Sequence, residues 1–208
     1  MERFTNILAI PKYLLASFQS MDRIRDFRSG LATTPRTDGS SQADCLVGSV
    51  WRRDILSRKK RGADVGKTKR GKGTKLMLLV DGNGLPLSLD TASASPAEVK
   101  LIESLLDRQM LPSNPDRLIY DRAADSDALR TQLAERQIEL VCPHRKNRVK
   151  PATQDGRALR RYARRWKVER SFSWLFNFRR LVVRYERYSH LFMGFAQLAC
   201  VFTILNKL

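Results

Sequence analysis

The chain has 208 residues, 42% of them hydrophobic and 29% charged, which excludes wholesale disorder and leaves room for one α/β domain plus an appendage. Its formal net charge of +18 and isoelectric point near 10.5 make a compact fold repel itself unless a polyanion is near. Nucleic acid is the commonest such partner and an anionic membrane surface the alternative. Three cysteines, Cys45, Cys142 and Cys200, are odd in number and far apart, which excludes a disulfide framework and points to a reducing compartment.

Residues 1–20 are mildly apolar, but Glu2, Arg3, Pro11 and Lys12 interrupt them, so they make a poor signal peptide. Residues 30–41 are rich in Thr, Ser, Gly and Pro and read as a linker. Residues 1–57 are set apart as an atypical, partly disordered segment, and 58–208 as the main domain. The basic, glycine-punctuated run RKKRGADVGKTKRGKGTK (58–75) is expected to be an exposed loop or edge ribbon.

Residues 76–80 (LMLLV) are a short continuous apolar run and predict a buried strand. Asp81-Gly82-Asn83-Gly84 is turn chemistry and 85–89 return as a hairpin, with Pro86 moving the second strand to an edge. Ser95, Pro96 and Glu98 then predict a capping box and a helix to about residue 110. A strand over 117–120 ends on Asp121. A helix over 127–136 is capped by Asp125 or Ser126, and 138–142 form another strand with Cys142 at its buried end. A long helix over 157–176 and an apolar one over 191–206 close the chain; the latter fits a buried helix better than a membrane span. This alternation predicts a mixed α/β sheet with helices on its faces. The fold needs one more strand before the hairpin, and 47–56 is the only, poor, candidate.

Glu169 falls in a stripe with Leu159, Tyr162, Trp166, Phe172 and Phe176 on a helical wheel, where a carboxylate needs compensation from a metal or from Arg165 one turn earlier. Asp121 follows a strand, where ligands of open α/β sheets gather, but it also suits a turn aspartate bonding its own backbone. Together the two acids suit two-metal phosphoryl transfer on nucleic acid, since magnesium takes oxygen ligands and needs only one or two carboxylates. Arg145, Lys146 and Arg148, then Arg157, Arg160, Arg161, Arg164, Arg165, Lys167 and Arg170, make a candidate phosphate track or a solvated face. Two near P-loops, 62–68 and 66–72, lack the full motif, and their glycines and lysines suit a DNA-contacting segment better. Cys142-Pro143-His144 is a zinc half-site without a second half.

The segments VGKTKRGKGTKLMLLVDGNGLPLSLDTASASPAEVKL (65–101), LIYDRAADSDAL (118–129), CPHRKNR (142–148) and TQDGRALRRYARRWKVERSFSWLFNFRRLVVRYER (153–187) resemble the DDE transposases of the insertion sequence four and five superfamily, from about Gly62 to the C-terminus. The resemblance implies an RNase H-like α/β fold, a mixed sheet flanked by helices, whose three acids bind Mg2+ or Mn2+. It implies that Asp121 and Glu169 are the second and third acids, and it maps a Tyr–Arg–Glu signature onto Tyr162, Arg165 and Glu169. A basic residue seven places after the Glu is replaced by Phe176, with Arg179 or Arg180 about one turn on. The first acid departs from the pattern: counting back from Val65 lands on Arg52, with Asp54 two residues away, and Asp81 lies in a turn. The family's N-terminal helical segment is not recognisable in residues 1–50, and a frame change or truncation near residue 60 would account for both departures.

The resemblance further implies binding of double-stranded DNA at transposon ends and target, by a homodimer or higher oligomer in the bacterial cytoplasm at the nucleoid, with no membrane partner. The DNA contacts expected are Lys67, Lys69, Arg70, Lys72, Arg145, Lys146, Arg148, Arg161, Tyr162, Arg165 and Arg179. Two readings compete with an active transposase. One is a DNA-binding remnant without the first acid. The other is a basic RNA-binding protein, which explains the charge but not Glu169.

Overall fold

The computed structural model describes residues 44–53, 64–68, 71–109 and 114–207, all within the unit Gln42–Leu208. The linker and disorder expected before residue 44, and Asp54, Lys69 and Arg70, lie outside the described residues. The strands are β1 (Asp44–Arg53), β2 (Gly66–Thr68), β3 (Gly71–Val80), β4 (Pro86–Ser93), β5 (Arg117–Ile119) and β6 (Glu139–Val141). The helices are α1 (Ile102–Asp107), α2 (Asp127–Glu135), α3 (Gly156–Arg160), α4 (Trp166–Leu175), α5 (Arg179–Val182) and α6 (Ser189–Leu205).

The sheet runs β2-β3-β1-β5-β6, with β4 on the outer edge of β3. β1 is antiparallel to β3 and parallel to β5, and β5 is parallel to β6, so the sheet is mixed as expected. Its first strand lies inside the segment that the sequence sets apart as 1–57, and it is central. Its signal is faint because Gly48, Ser49 and the Arg52–Arg53 pair break the apolar run DCLVGSVWRR. β3 also starts earlier than expected, at Gly71, because β2 pairs with its first residues and makes the basic run an edge ribbon.

Alternation along the strands builds two cores. Cys45, Val47, Met77, Leu79, Leu118, Tyr120 and Leu140 face α1 and α2, while Leu46, Leu76, Leu78, Val80, Ile119 and Val141 face α4 and α6. The first described turn after β3 is held by Asp81, whose Oδ1 accepts from the N–H groups of Asn83 and Leu85 at 2.8 Å. Gly84 takes φ +90 there, which only glycine adopts cheaply. α4 lies across this turn: Lys167 Nζ donates to Gly82 O, Arg170 to Asn83 O at 2.6 Å, and Ser171 Oγ to Gly84 O.

Two local expectations are corrected. Ser95 caps no helix; its hydroxyl reaches Lys67 O at 3.3 Å, and the chain enters α1 through a 3₁₀ turn, Glu98–Leu101, capped by backbone at Ala97. Glu98 is drawn away instead, accepting from the Tyr120 hydroxyl at 2.6 Å. The long helix over 157–176 is interrupted by a 3₁₀ stretch, Arg161–Arg165. Five residues at three per turn rotate the helix by roughly 100° relative to α-helical phase. The stripe read through Tyr162 therefore does not carry on to Glu169. α4 buries Val168, Ser171, Phe172 and Leu175, while Glu169 and Trp166 are exposed at 56% and 55%.

Candidate active site

Asp121 sits directly beyond β5 and does two things. Its Oδ1 accepts from Ala123 N at 2.8 Å, capping the 3₁₀ turn Arg122–Ala124, and its Oδ2 lies 3.5 Å from Arg165 Nη2. The turn reading of this residue is thus realised, and its second oxygen is left facing Arg165. Glu169 Oε1 is 2.8 Å from Arg165 Nη1, one helical turn away. One guanidinium therefore joins two carboxylates that are far apart in sequence, at the strand tip where the sequence placed the chemistry.

The parallel register pairs Asp44 with Arg117, Cys45 with Leu118 and Leu46 with Ile119, so Gly48 falls level with Asp121. Leu46, Gly48 and Val50 are the β1 positions nearest its level that share its face, towards α4, and none is an acid; Asp44, on the same face, stands four residues before Gly48. A Cβ on Gly48 would meet Phe172 Cε2 and Val168 Cγ2 at 2.9 Å, so α4 packs on the bare backbone there. Gly48→Ala is expected to lower stability by about 1–3 kcal/mol, measured by urea unfolding; no loss would show that α4 shifts freely. The last residue of β1, Arg53, is five residues past Gly48, about 17 Å along the strand; Asp54 comes after it and is outside the described residues.

Asp121 and Glu169 carry the oxygen donors that a divalent ion such as magnesium takes, and both reach the same guanidinium. The three-acid set is not assembled: among the described residues no group of three His, Cys, Asp or Glu side chains could hold a metal ion. That includes Cys142 and His144, which bind inside the protein. Burial pushes the Cys142 thiol up, and the thiol receives Arg130 Nη2 at 3.1 Å; His144 Nδ1 bonds Asp125 at 3.0 Å.

The other site expectations separate by what each side chain already holds. Tyr162 packs on the core beside α4. Lys67 and Lys72 are register partners across the β2–β3 ribbon. Lys146 is exposed. Arg145 donates to the carbonyls of Arg122 and Ala123, bracing the turn that Asp121 caps. Arg148 is 12% exposed and pairs with Asp125 and Asp127. Arg161 pairs with Asp44 at 3.8 Å. Arg180 pairs with Glu186 at 2.9 Å, and Arg179 borders an apolar depression with Phe178, Phe195 and Phe202; among the described residues neither reaches Asp121 or Glu169.

Two groups escaped the sequence reading. Asp125, read as a turn aspartate or helix cap, is 2% exposed and holds Arg130, His144, Arg148 and the Arg145 N–H together. Arg184, one cation in a basic block, is fully buried. No spacing signal marks either: Asp125 is met by side chains of α2 and of the segment after β6, and Arg184 joins the carbonyls of its own segment to Thr74 on β3.

Among the described residues no helix is long and apolar enough to cross a membrane. A family model described as a transposase DDE domain matches residues 32–204. A protein of Burkholderia cepacia described as a transposase for insertion sequence element IS402 is 33% identical over 144 residues, 65% of this chain and 64% of its own length. A cryo-EM structure of the piggyBac transposase synaptic complex with hairpin DNA superposes with TM-score 0.50 at 12% identity, over 78% of this chain and 46% of that one. At that identity it shows the fold alone, an RNase H-like α/β sheet. The chain thus spans under two thirds of both proteins.

Proposed function

The chain belongs to the transposase DDE domain family, and from that premise we propose that it acts on double-stranded DNA as an insertion-sequence transposase. The observation that carries this is the meeting of Asp121 and Glu169 on Arg165 at the tip of β5, beneath a basic helical run. The two carboxylates would hold magnesium or manganese, which when bound supplies Lewis-acid stabilisation for in-line displacement at phosphorus. Arg165 positions both acids, and the Ala123 N–H fixes the Asp121 rotamer. Lys67, Lys72, Lys146, Arg161 and Arg179, with Lys69, Arg70, Arg145, Arg148 and Tyr162 of the same set, hold or frame the phosphate backbone, a sequence-independent and salt-sensitive contact. The protein works as a homodimer or higher oligomer on paired DNA ends, at the nucleoid.

One observation favours a second reading, DNA binding without cleavage: β1 offers Leu46, Gly48 and Val50 where a third acid would stand. The test is strand cleavage of duplex DNA carrying the element's own ends, with Mg2+ or Mn2+. Cleavage is expected, and Asp121→Asn and Glu169→Gln are each expected to reduce it about a hundredfold or more while DNA affinity stays within roughly twofold. Tight DNA binding with no cleavage by the unaltered chain would establish the second reading. Failure to bind DNA at all would remove both.

A further inference from the structure

Four arginines, Arg157, Arg160, Arg161 and Arg164, line a depression of about 460 Å³ on the run formed by α3 and the 3₁₀ stretch after it. Their spacing, i, i+3, i+4 and i+7, puts them on one helical face. The acid that meets them is Asp44, at the start of β1. Its Oδ2 lies 3.0 Å from Arg164 and 3.8 Å from Arg161, and its Oδ1 3.3 Å from Arg117. One carboxylate thus faces three guanidinium groups and fixes two of those in the depression. Arg157 and Arg160 form no ion pair among the described residues, and both are exposed. Four like charges converging on one concavity are costly unless an anion enters, and the planar fork of arginine matches a phosphate.

We infer that this depression is a phosphate-binding subsite for a DNA strand, separate from the acid pair. The inference rests on the DNA-binding reading above and assigns part of that contact. Asp44 stands four residues before Gly48, which is level with Asp121, so the carboxylate that shapes the subsite is offset by about 13 Å along the strand from the level of Asp121. Arg161 and Arg164, held by Asp44, set the shape of the subsite, while Arg157 and Arg160 are free to close on the ligand.

The experiment is fluorescence anisotropy of the full chain on a labelled DNA duplex across a salt series. It compares the unaltered chain, Arg157→Gln/Arg160→Gln, and the control Lys100→Gln/Arg136→Gln. The control removes equal charge from the side of the sheet covered by α1 and α2. Neither pair is buried; the control also breaks the surface ion pair of Arg136 with Asp107 at 2.7 Å, a contact worth little, so melting temperatures should shift only slightly. The subsite pair is expected to weaken binding about tenfold at 0.1 M salt and to reduce the slope of log K against log salt by roughly 2. The control is expected to leave the slope in place. Equal losses from both pairs would overturn the inference in favour of net charge alone, as would a loss confined to an RNA duplex of the same length. If the unaltered chain fails to bind DNA, the functional reading falls and this inference with it; if it binds and Arg157→Gln/Arg160→Gln binds as well, only this inference falls.

Discussion

Asp125→Ala is expected to lower the unfolding free energy by about 3–5 kcal/mol, the cost of leaving buried charged partners uncompensated. Asp125 Oδ1 takes Arg130 Nη2 at 3.1 Å, His144 Nδ1 at 3.0 Å and Arg148 Nη1 at 3.3 Å, and Oδ2 takes the Arg145 N–H at 2.8 Å. The carboxylate thereby ties the segment after β6 to α2 and to the turn that carries Asp121. Burial raises its pKa, but the Arg145 N–H, His144 and Arg130 outweigh burial and bring it from the usual 3.8 down to about 2. A depressed carboxyl contributes stability that is fully present above about 4 and is lost as pH falls through about 2, a contribution of roughly 2 kcal/mol. The truncation costs more than this because it also strands four donors. Urea unfolding at pH 7 and near pH 2 checks both parts: the gap between the unaltered chain and Asp125→Asn should narrow at the lower pH. An unchanged gap would mean the carboxylate is not what the donors stabilise. Asp121 should feel the loss of Asp125 too, since Arg145 braces the Arg122–Ala124 turn from the same segment.

Arg184→Leu is expected to cost about 3 kcal/mol or more, although it replaces a buried cation with an apolar side chain. The Arg184 guanidinium donates to Glu186 O at 3.0 Å, Arg187 O at 3.2 Å and Thr74 Oγ1 at 2.6 Å, and lies 5.7 Å from the Phe192 ring. Thr74 Oγ1 passes the bond on to Asp64 O at 2.8 Å. A single side chain thus fastens the segment before α6 to the start of β3. Leucine would fill only part of the volume and leave those carbonyls without this donor. Arg184→Lys should do little better, because one ammonium cannot span acceptors on opposite sides of a planar fork. Thermal melting of both variants decides it: a lysine variant as stable as arginine would show that charge, not fork geometry, is what the site requires.

The meeting of the two acids on Arg165 is legible in part. Asp121 is singled out because it follows a short apolar strand, and Glu169 by the resemblance; the apolar stripe that also points to Glu169 fails in the structure, where Glu169 is exposed. A wheel drawn at 3.6 residues per turn cannot foresee the 3₁₀ stretch Arg161–Arg165 that breaks its phase. The basic run 157–170 read as a phosphate track, and Arg184 beyond it, divide in three dimensions. Arg165 serves the acids, Arg164 and Arg161 meet Asp44, Arg170 is clamped to the turn at Asn83, and Arg184 is buried. A sequence counts those as equal charges because charge has no direction until the partners are placed.

What the sequence determined by itself were the properties carried by neighbouring residues. These were the basic character, the buried hairpin around Asp81, the strand before Asp121, the apolar last helix and the motifs shared with the family. Tertiary structure alone decided which residues stand level across the sheet. The β1–β5 register sets Gly48 beside Asp121, and the closeness of α4 leaves no room there for a side chain. The hydrophobic pattern of β1 is interrupted and short, so its strand and register are specified by pairing with β3 and β5 rather than by its own residues. Long-range pairing is what brought Asp44 to the four arginines and Asp125 to its four donors, contacts whose energy exists only after the chain has closed its loops.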